Sequence, residues 1–264
     1  MTDGPHRVVG LIGGSGIYDA GLFTPTATHK VSTPWGPPST SIQEGRVGNV
    51  RVLFLSRHGP GHTIPAHRVN YRANIDALVQ LGANTILSVS SVGSLQSELA
   101  PGEFVLPTQF VDFTKQRPTT YYDGGRTYHI SMADPFCPEL LREAALAGHT
   151  VSAPFHEGGT YVCIEGPRFS TRAESRFFRG FADIIGMTLV PEVTLARERA
   201  ACYGLLAMVT DYDVWAEHPV DAQEIVRVMR ENVARMQGVL GALIPRLDAP
   251  RNCSCAKALD AAGL

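Results

Sequence analysis

The chain has 264 residues, with 23 Lys and Arg against 25 Asp and Glu. That near balance, with the basic residues scattered along the sequence, excludes the electrostatic footprint of a duplex nucleic-acid binder. No apolar run reaches membrane-spanning length and no signal-peptide pattern opens the chain, so a cytoplasmic protein with no membrane partner is expected. The length suits one large α/β domain over residues 1–264, with a core at about 7–245 and a C-terminal tail at 246–264.

In chain order, residues 7–12 form a short apolar strand that opens into Gly13-Gly14-Ser15-Gly16. A second strand covers 50–56, after a Pro-, Thr-, Ser- and Gly-rich stretch that reads as a hairpin or extended excursion. Residues 70–81 have the spacing of an amphipathic helix, with Ile75, Leu78, Val79 and Leu81 on the apolar face. A strand over 83–90 ends in Ser90-Ser91-Val92-Gly93-Ser94, and another strand is expected over 102–110. A polar excursion through Lys115-Gln116-Arg117-Pro118 follows, then a helix from Cys137 to Ala147 and a strand over 160–164. Helices are expected over 171–181 and 193–200, with the strand 202–209 after them. Residues 221–243 read as a long helix with Asp221 as a candidate cap. Strands alternating with helices argue for an α/β core.

The five cysteines make no dense framework. Cys137, Cys163 and Cys202 stand in ordinary apolar or strand contexts. Cys253-Ser254-Cys255 reads as two free thiols on the tail, with a redox pair or a disulfide as alternatives. Spacing alone assembles no four-ligand zinc site around that pair, so no metal is expected.

The stretch Val209-Thr210-Asp211-Tyr212-Asp213 carries the strongest chemical signal. It sets two carboxylates at the end of a buried strand, where open α/β sheets place ligand-binding groups. In extended backbone Asp211 and Asp213 would point to one face. One site could then use one carboxylate as acceptor or general acid and the other as orienter or as the partner that raises its pKa. The plain alternative is a solvated loop.

Four other strand ends carry anion-binding residue types. Gly13-Gly14-Ser15-Gly16 has the glycines and hydroxyl of an anion nest, or of a tight turn, and matches neither a Walker A loop nor a GxGxxG fingerprint. Ser56-Arg57-His58-Gly59 offers a guanidinium fork to phosphate and a further donor at His58. Ser90 to Ser94 and Gly186-Met187-Thr188 add hydroxyls, with Met187 as an apolar flank for a sugar. Phe169 is a candidate to stack on a base, or a core aromatic. Hydroxyls, Arg, His and glycines together suit free phosphate, and the acidic pair suits a nitrogen-rich base.

These segments resemble the trimeric purine nucleoside phosphorylases, in their 5'-methylthioadenosine phosphorylase branch. The resemblance rests on Ile12-Gly-Gly-Ser-Gly16, Arg57-His-Gly59, His62-Thr-Ile-Pro65, Val69-Asn-Tyr-Arg-Ala-Asn74 and Ser90-Ser-Val-Gly-Ser-Leu95. It continues through His129-Ile-Ser-Met-Ala-Asp-Pro-Phe-Cys-Pro138, Ile164-Glu-Gly-Pro-Arg-Phe-Ser-Thr-Arg-Ala-Glu174, Gly186-Met-Thr188, Val190-Pro-Glu-Val193 and Thr210-Asp-Tyr-Asp-Val-Trp215. It spans residues 7–245 in order.

The resemblance implies a single α/β domain with a central mixed, strongly twisted sheet flanked by helices. It also implies a pentosyltransferase in which inorganic phosphate attacks C1' of a purine nucleoside. Ser15, Arg57, His58, Ser90, Ser91 and Thr188 would hold phosphate, and Met187 the ribose. Phe169 and Ile185 would wall the base pocket, with Asp211 bonded to the purine and Asp213 as its partner. Ala222, Ile225 and Val226 would line the pocket for the 5' substituent. His129 would be supplied to that pocket by a neighbouring subunit of a homotrimer or dimer of trimers. No cofactor is implied, since phosphate is a co-substrate.

Within the resemblance, an Asn in place of Asp211 and a Glu in place of Ser170 mark the 6-oxopurine branch. Asp211 and Ser170 therefore favour 5'-methylthioadenosine over methylthioinosine, inosine or guanosine, and an apolar 5' pocket favours it over adenosine. A hydrolytic nucleosidase and a non-enzymatic sugar-phosphate or nucleotide-binding module are the readings from other classes.

Overall fold

The hub of the fold is a ten-residue strand, β5 (Thr85–Ser94), which pairs with three other strands. The computed structural model describes residues 7–14, 21–216, 222–260 and 262–263. In chain order the remaining strands are β1 (Val8–Gly13), β2 (Ala27–His29), β3 (Ile42–Val47), β4 (Val50–Ser56), β6 (Phe104–Leu106) and β7 (Gln109–Phe113). They continue with β8 (Phe155–Glu157), β9 (Thr160–Ile164), β10 (Ile184–Gly186) and β11 (Cys202–Asp211). The helices are α1 (Tyr71–Gln80), α2 (Pro138–Thr150), α3 (Arg172–Phe178), α4 (Leu189–Glu198) and α5 (Ala222–Arg246).

All the strands join one mixed sheet with the path β2-β3-β4-β1-β5-β10-β9-β7. A branch leaves β5 through β11 to β6 and β8. β1, β4, β5 and β11 run parallel, so their C-terminal ends lie along the same edge. β10 runs antiparallel to β5, pairing Ile185 with Gly93. This is the mixed sheet flanked by helices that the resemblance implies.

Both faces of the central strands are covered, which is why they read as apolar runs rather than clean alternations. Along β11, Tyr203, Leu205, Ala207 and Val209 enter one core with Ile75 and Leu78 of α1 and Val193 and Leu195 of α4. Leu206 and Met208 enter the other, with Leu140 and Ala144 of α2 and Met236, Leu240 and Leu243 of α5. Among the described residues no helix is long and apolar enough to cross a membrane.

Several expected boundaries move. β5 continues through Ser94, so Ser90 to Ser94 lie within the strand rather than after it. The strand expected over 102–110 is two strands, β6 and β7, separated at Pro107-Thr108, where proline has no N–H for a ladder. The Pro-rich stretch before residue 50 yields β2 and β3, and β3 returns into β4 through a tight turn with Gly48 at φ 59°. α1 is capped by Asn70, whose side chain accepts from the Ala73 N–H. Thr171 and Glu174 form a reciprocal capping box on α3. α4 begins at Leu189, ahead of the expected 193, with Val190 extended inside its first turn. Asp221 lies outside the described residues.

The tail expected from 246 is instead docked. α5 runs through Arg246, Leu247 and Cys255 are buried, and the Tyr128 and Gly263 backbones form a bridge. Leu247 and Cys255 fill the core beside α2 and β11, so apolar burial holds this segment down.

Candidate active site

The parallel strand ends bring one cluster of sequence-distant groups together. The Arg57 N–H donates to the Gly13 carbonyl at 3.0 Å, which joins the β4 end to the glycine turn after β1. Gly14 is described, and Ser15 lies outside the described residues. On the next strand, the Ser90 and Thr188 hydroxyls sit 2.9 Å apart, both buried. The antiparallel run of β10 against β5 produces that meeting. Ser91 is half-buried beside them.

Arg57 is fully buried, but its fork is not held open. Nε and Nη2 donate to the two Glu192 carboxylate oxygens at 2.8 and 3.1 Å. Nη2 also donates to Ser88 Oγ at 2.6 Å and Nη1 to the Val89 carbonyl at 3.2 Å. The bidentate edge expected to meet phosphate is therefore engaged by a carboxylate, and Arg57 turns its Nη1 edge towards the start of the Ser90-Ser91 segment. Glu192 also accepts from Ser88 Oγ at 2.7 Å and Tyr203 Oη at 2.8 Å. It is a buried hub that the sequence analysis quoted only inside a motif.

His58 departs from the expected donor role. Its Nδ1 lies 2.9 Å from the Ile64 carbonyl, so the neutral ring donates there and presents Nε2 as an acceptor. Burial, with the neighbouring Arg57 charge, lowers its pKa to about 3. The ring stacks on His62 at 4.2 Å.

Further along β5 the chemistry changes. Gly93 stands against Asp211, where a β-carbon would come within 2.9 Å of Asp211 Oδ1 and 3.1 Å of Ile185 Cγ2. Only a glycine lets β11's end pack there. Asp211 and Asp213 do not share an extended face. The ladder shifts register between Val209 and Asp211, and Asp213 turns back with φ 48°. The Asp213 N–H donates to Asp211 Oδ1 at 2.8 Å, and Thr210 Oγ1 donates to Asp211 Oδ2 at 2.8 Å. Burial raises the Asp211 pKa from its ordinary value. Those two hydrogen bonds oppose the shift, and the Asp213 charge adds to it least of the four causes. The dominant cause is therefore desolvation rather than the like charge expected from the spacing.

Asp213 is buried, and both its oxygens accept from Ser170 Oγ at 2.8 Å. The turn is clamped from outside. Trp215 Nε1 donates to the Ser94 carbonyl at 2.7 Å, and Arg172 of α3 donates to the Val214 and Ala216 carbonyls at 3.2 Å.

The remaining expected contacts divide. Phe169 is 40% exposed on the loop before α3, free of any core role. Ile185 is buried with Leu95, Val162 and Phe178, and it approaches the site beside Gly93. Met187 is half-buried, and its carbonyl accepts from Arg117 at 2.7 Å. Arg117 was read from sequence only as part of a polar excursion. It is buried and also donates to the Val190, Ile164 and Glu165 carbonyls, at 2.5, 3.3 and 2.7 Å, fixing the chain around Met187. Val226 is exposed on α5, and the side chains of Ala222 and Ile225 lie outside the described residues. His129 is exposed, its N–H donating to the Ala262 carbonyl at 2.7 Å.

Comparison with known proteins agrees with this fold. The profile of the phosphorylase superfamily matches residues 8–245. The chain is 56% identical over 251 residues to the S-methyl-5'-thioadenosine phosphorylase of Pyrococcus furiosus, covering 95% of this chain and 97% of that one. It is 53% identical over 259 residues to that of Saccharolobus solfataricus, covering 96% of each. Among solved structures, a methylthioadenosine phosphorylase from an antarctic soil metagenomic library superposes with a TM-score of 0.93 at 42% identity, covering 98% of this chain and 93% of that one. The Schistosoma mansoni methylthioadenosine phosphorylase in complex with adenine gives a TM-score of 0.91 at 38% identity, covering 97% and 96%. With its mixed sheet, its paired Ser90 and Thr188 hydroxyls and its half-buried Asp211 against Gly93, the chain belongs to the phosphorylase superfamily, in the S-methyl-5'-thioadenosine phosphorylase branch.

Proposed function

We propose that this protein catalyses the phosphorolysis of 5'-methylthioadenosine to adenine and 5-methylthioribose 1-phosphate. One observation carries the reading: the paired Ser90 and Thr188 hydroxyls lie at one point of β5, and the Asp211 carboxylate of β11 lies against Gly93, three residues on. Three strand residues span about 10 Å, the reach from a phosphate beneath a ribose to the far edge of its purine.

Phosphate rests among Ser15, Arg57, His58, Ser90, Ser91 and Thr188 in this reading. Its oxygen adds to C1' as the bond from C1' to N9 breaks, and the bonding electrons move into the purine. Burial raises the Asp211 pKa, which favours the acid form that donates its proton to N7 in this reading, so adenine leaves neutral. Asp213 orients Asp211 through its main-chain N–H while Ser170 satisfies the Asp213 carboxylate. Phe169 stacks on the base and Met187 packs against the ribose. Ala222, Ile225 and Val226 line the 5' end, to which a neighbouring subunit of a trimer or dimer of trimers brings His129. Preorganised donors supply orientation and charge stabilisation.

The test is base release from methylthioadenosine, adenosine, methylthioinosine and inosine, with and without phosphate. Phosphate-dependent adenine release, fastest from the methylthio compound, is expected. Release without phosphate would instead make the protein a hydrolase, and faster hypoxanthine release would overturn the role given to Asp211.

A further inference from the structure

Away from the active site, four cysteines from three regions of the chain converge. Cys137 stands just before α2, Cys202 opens β11, and Cys253 and Cys255 belong to the C-terminal segment. All four Sγ atoms lie within 4.8 Å of one another, and Cys202 Sγ and Cys253 Sγ are 3.3 Å apart. Three of the four are buried and Cys253 is half-buried. The fifth cysteine, Cys163, is buried in the strand β9, outside the group.

We propose that Cys137, Cys202, Cys253 and Cys255 bind one zinc ion as a closed, structural tetrathiolate site. Zinc–sulfur bonds of about 2.3 Å place tetrahedral sulfurs about 3.8 Å apart. The four sulfurs need only small rotations to reach that spacing. Two disulfides would need closeness within two pairs alone, whereas here every sulfur is near every other. An all-sulfur donor set selects zinc over hard cations such as magnesium or calcium. Each thiol gives up its proton to solvent on binding, and no oxidant is involved.

The surroundings suit the resulting charge. Four thiolates around a divalent ion carry a net double negative charge. Arg7 Nη1 and Arg251 Nη1 approach Cys202 Sγ at 3.8 and 3.9 Å. Arg7 also pairs with Glu139 at 2.7 Å, so its charge is shared, while Arg251 otherwise donates to the Asn84 and Ala200 carbonyls.

The site is separate from catalysis. Cys202 begins the ten-residue strand β11 and Asp211 ends it, so the two lie about 30 Å apart along the strand. With four protein ligands there is no open position for substrate. The ion would instead tie the segment carrying Ala262 and Gly263 to α2 and β11, and that segment braces the backbone at Tyr128 and His129.

The test is elemental analysis of the full chain purified under reducing conditions without chelator, with a mercurial titration to release bound metal. About one zinc per chain is expected, released as four thiols react. Cys253→Ser, at the least buried ligand, should drop the zinc content several-fold, whereas Cys163→Ser should keep it. Zinc removal should lower Tm on the order of 5 °C or more. Cobalt substitution should give the charge-transfer bands of a tetrahedral cobalt thiolate. The proposal is overturned if the reduced wild-type protein binds no zinc in competition with a chromophoric chelator. It is equally overturned if unreduced, denatured protein alkylates at Cys163 alone, since the four cysteines would then be paired as disulfides.

Discussion

The main-chain N–H of Asp213 donates to Asp211 Oδ1 at 2.8 Å, while the Asp213 carboxylate turns away to accept from Ser170. The two acids therefore do not share a proton face to face. Asp213 acts through its backbone, and its side-chain charge is the smaller influence on Asp211. Asp211 is left with a raised pKa, as the proposed donor to purine N7 requires.

Replacing Asp211 with Asn removes the transferable proton but keeps an oxygen for the Asp213 N–H. Asp211→Asn should lower kcat/KM for methylthioadenosine at least about tenfold, the loss of roughly 1.4 kcal/mol of transition-state stabilisation. It should also shift relative turnover towards 6-oxopurines, because an amide can donate to O6. Unchanged relative turnover in steady-state assays would remove Asp211 from the role.

Because Asp211 must be protonated to donate, kcat/KM should fall as pH rises through its raised pKa. Asp213→Asn removes a charge that raises that pKa, so the alkaline limb should move to lower pH. The same shift acts on stability. With the folded-state pKa above the unfolded one, Asp211's contribution is full below the unfolded value and is lost as pH rises through the folded value. A pH–rate profile of both proteins measures the first effect, and an alkaline limb that stays in place would show that Asp211 does not control it.

The Arg57–Glu192 pair is buried at both ends, with side-chain exposures of 2% and 0%. Glu192→Gln should destabilise the fold by about 3–5 kcal/mol, because it leaves a buried guanidinium without its counter-charge. Ser88→Ala removes one neutral acceptor from the same network and should cost only about 1 kcal/mol. Urea midpoints read both, and equal costs would mean that charge is not what Glu192 contributes.

His58 is held neutral by burial and by Arg57, at a pKa of about 3. A phosphate anion lodged beside both residues reverses the second cause, so its binding should raise the His58 pKa. The ring resonances of His58, followed by NMR through an acid titration with and without phosphate, should show the rise. No rise on saturation would place phosphate away from His58.

Much of this was legible in residue order. The apolar runs at β4, β9 and β11 and the spacing of α1 and α2 announce themselves, because burial on a regular lattice leaves a periodic trace. The ordered motifs around Gly13, Arg57, Ser90, Phe169, Met187 and Asp211 pointed to phosphate at one end of a site and purine at the other. Arg117 and Glu192 were not legible. Their importance lies in which carbonyls and hydroxyls they reach, and those partners are up to 135 residues away. The extended-face reading of Asp211 and Asp213 failed for a local reason: a register shift and one left-handed residue turn the chain back.

By itself the sequence determined the α/β class and the family, since these follow from local periodicity and from short motifs in a set order. Only the tertiary structure decided that Arg57 meets Glu192, that Ser90 meets Thr188, and that Cys137, Cys202, Cys253 and Cys255 converge. The physical reason is that long-range pairings are chosen by burial and strand register acting on the whole chain at once. Sequence separation carries no record of that choice.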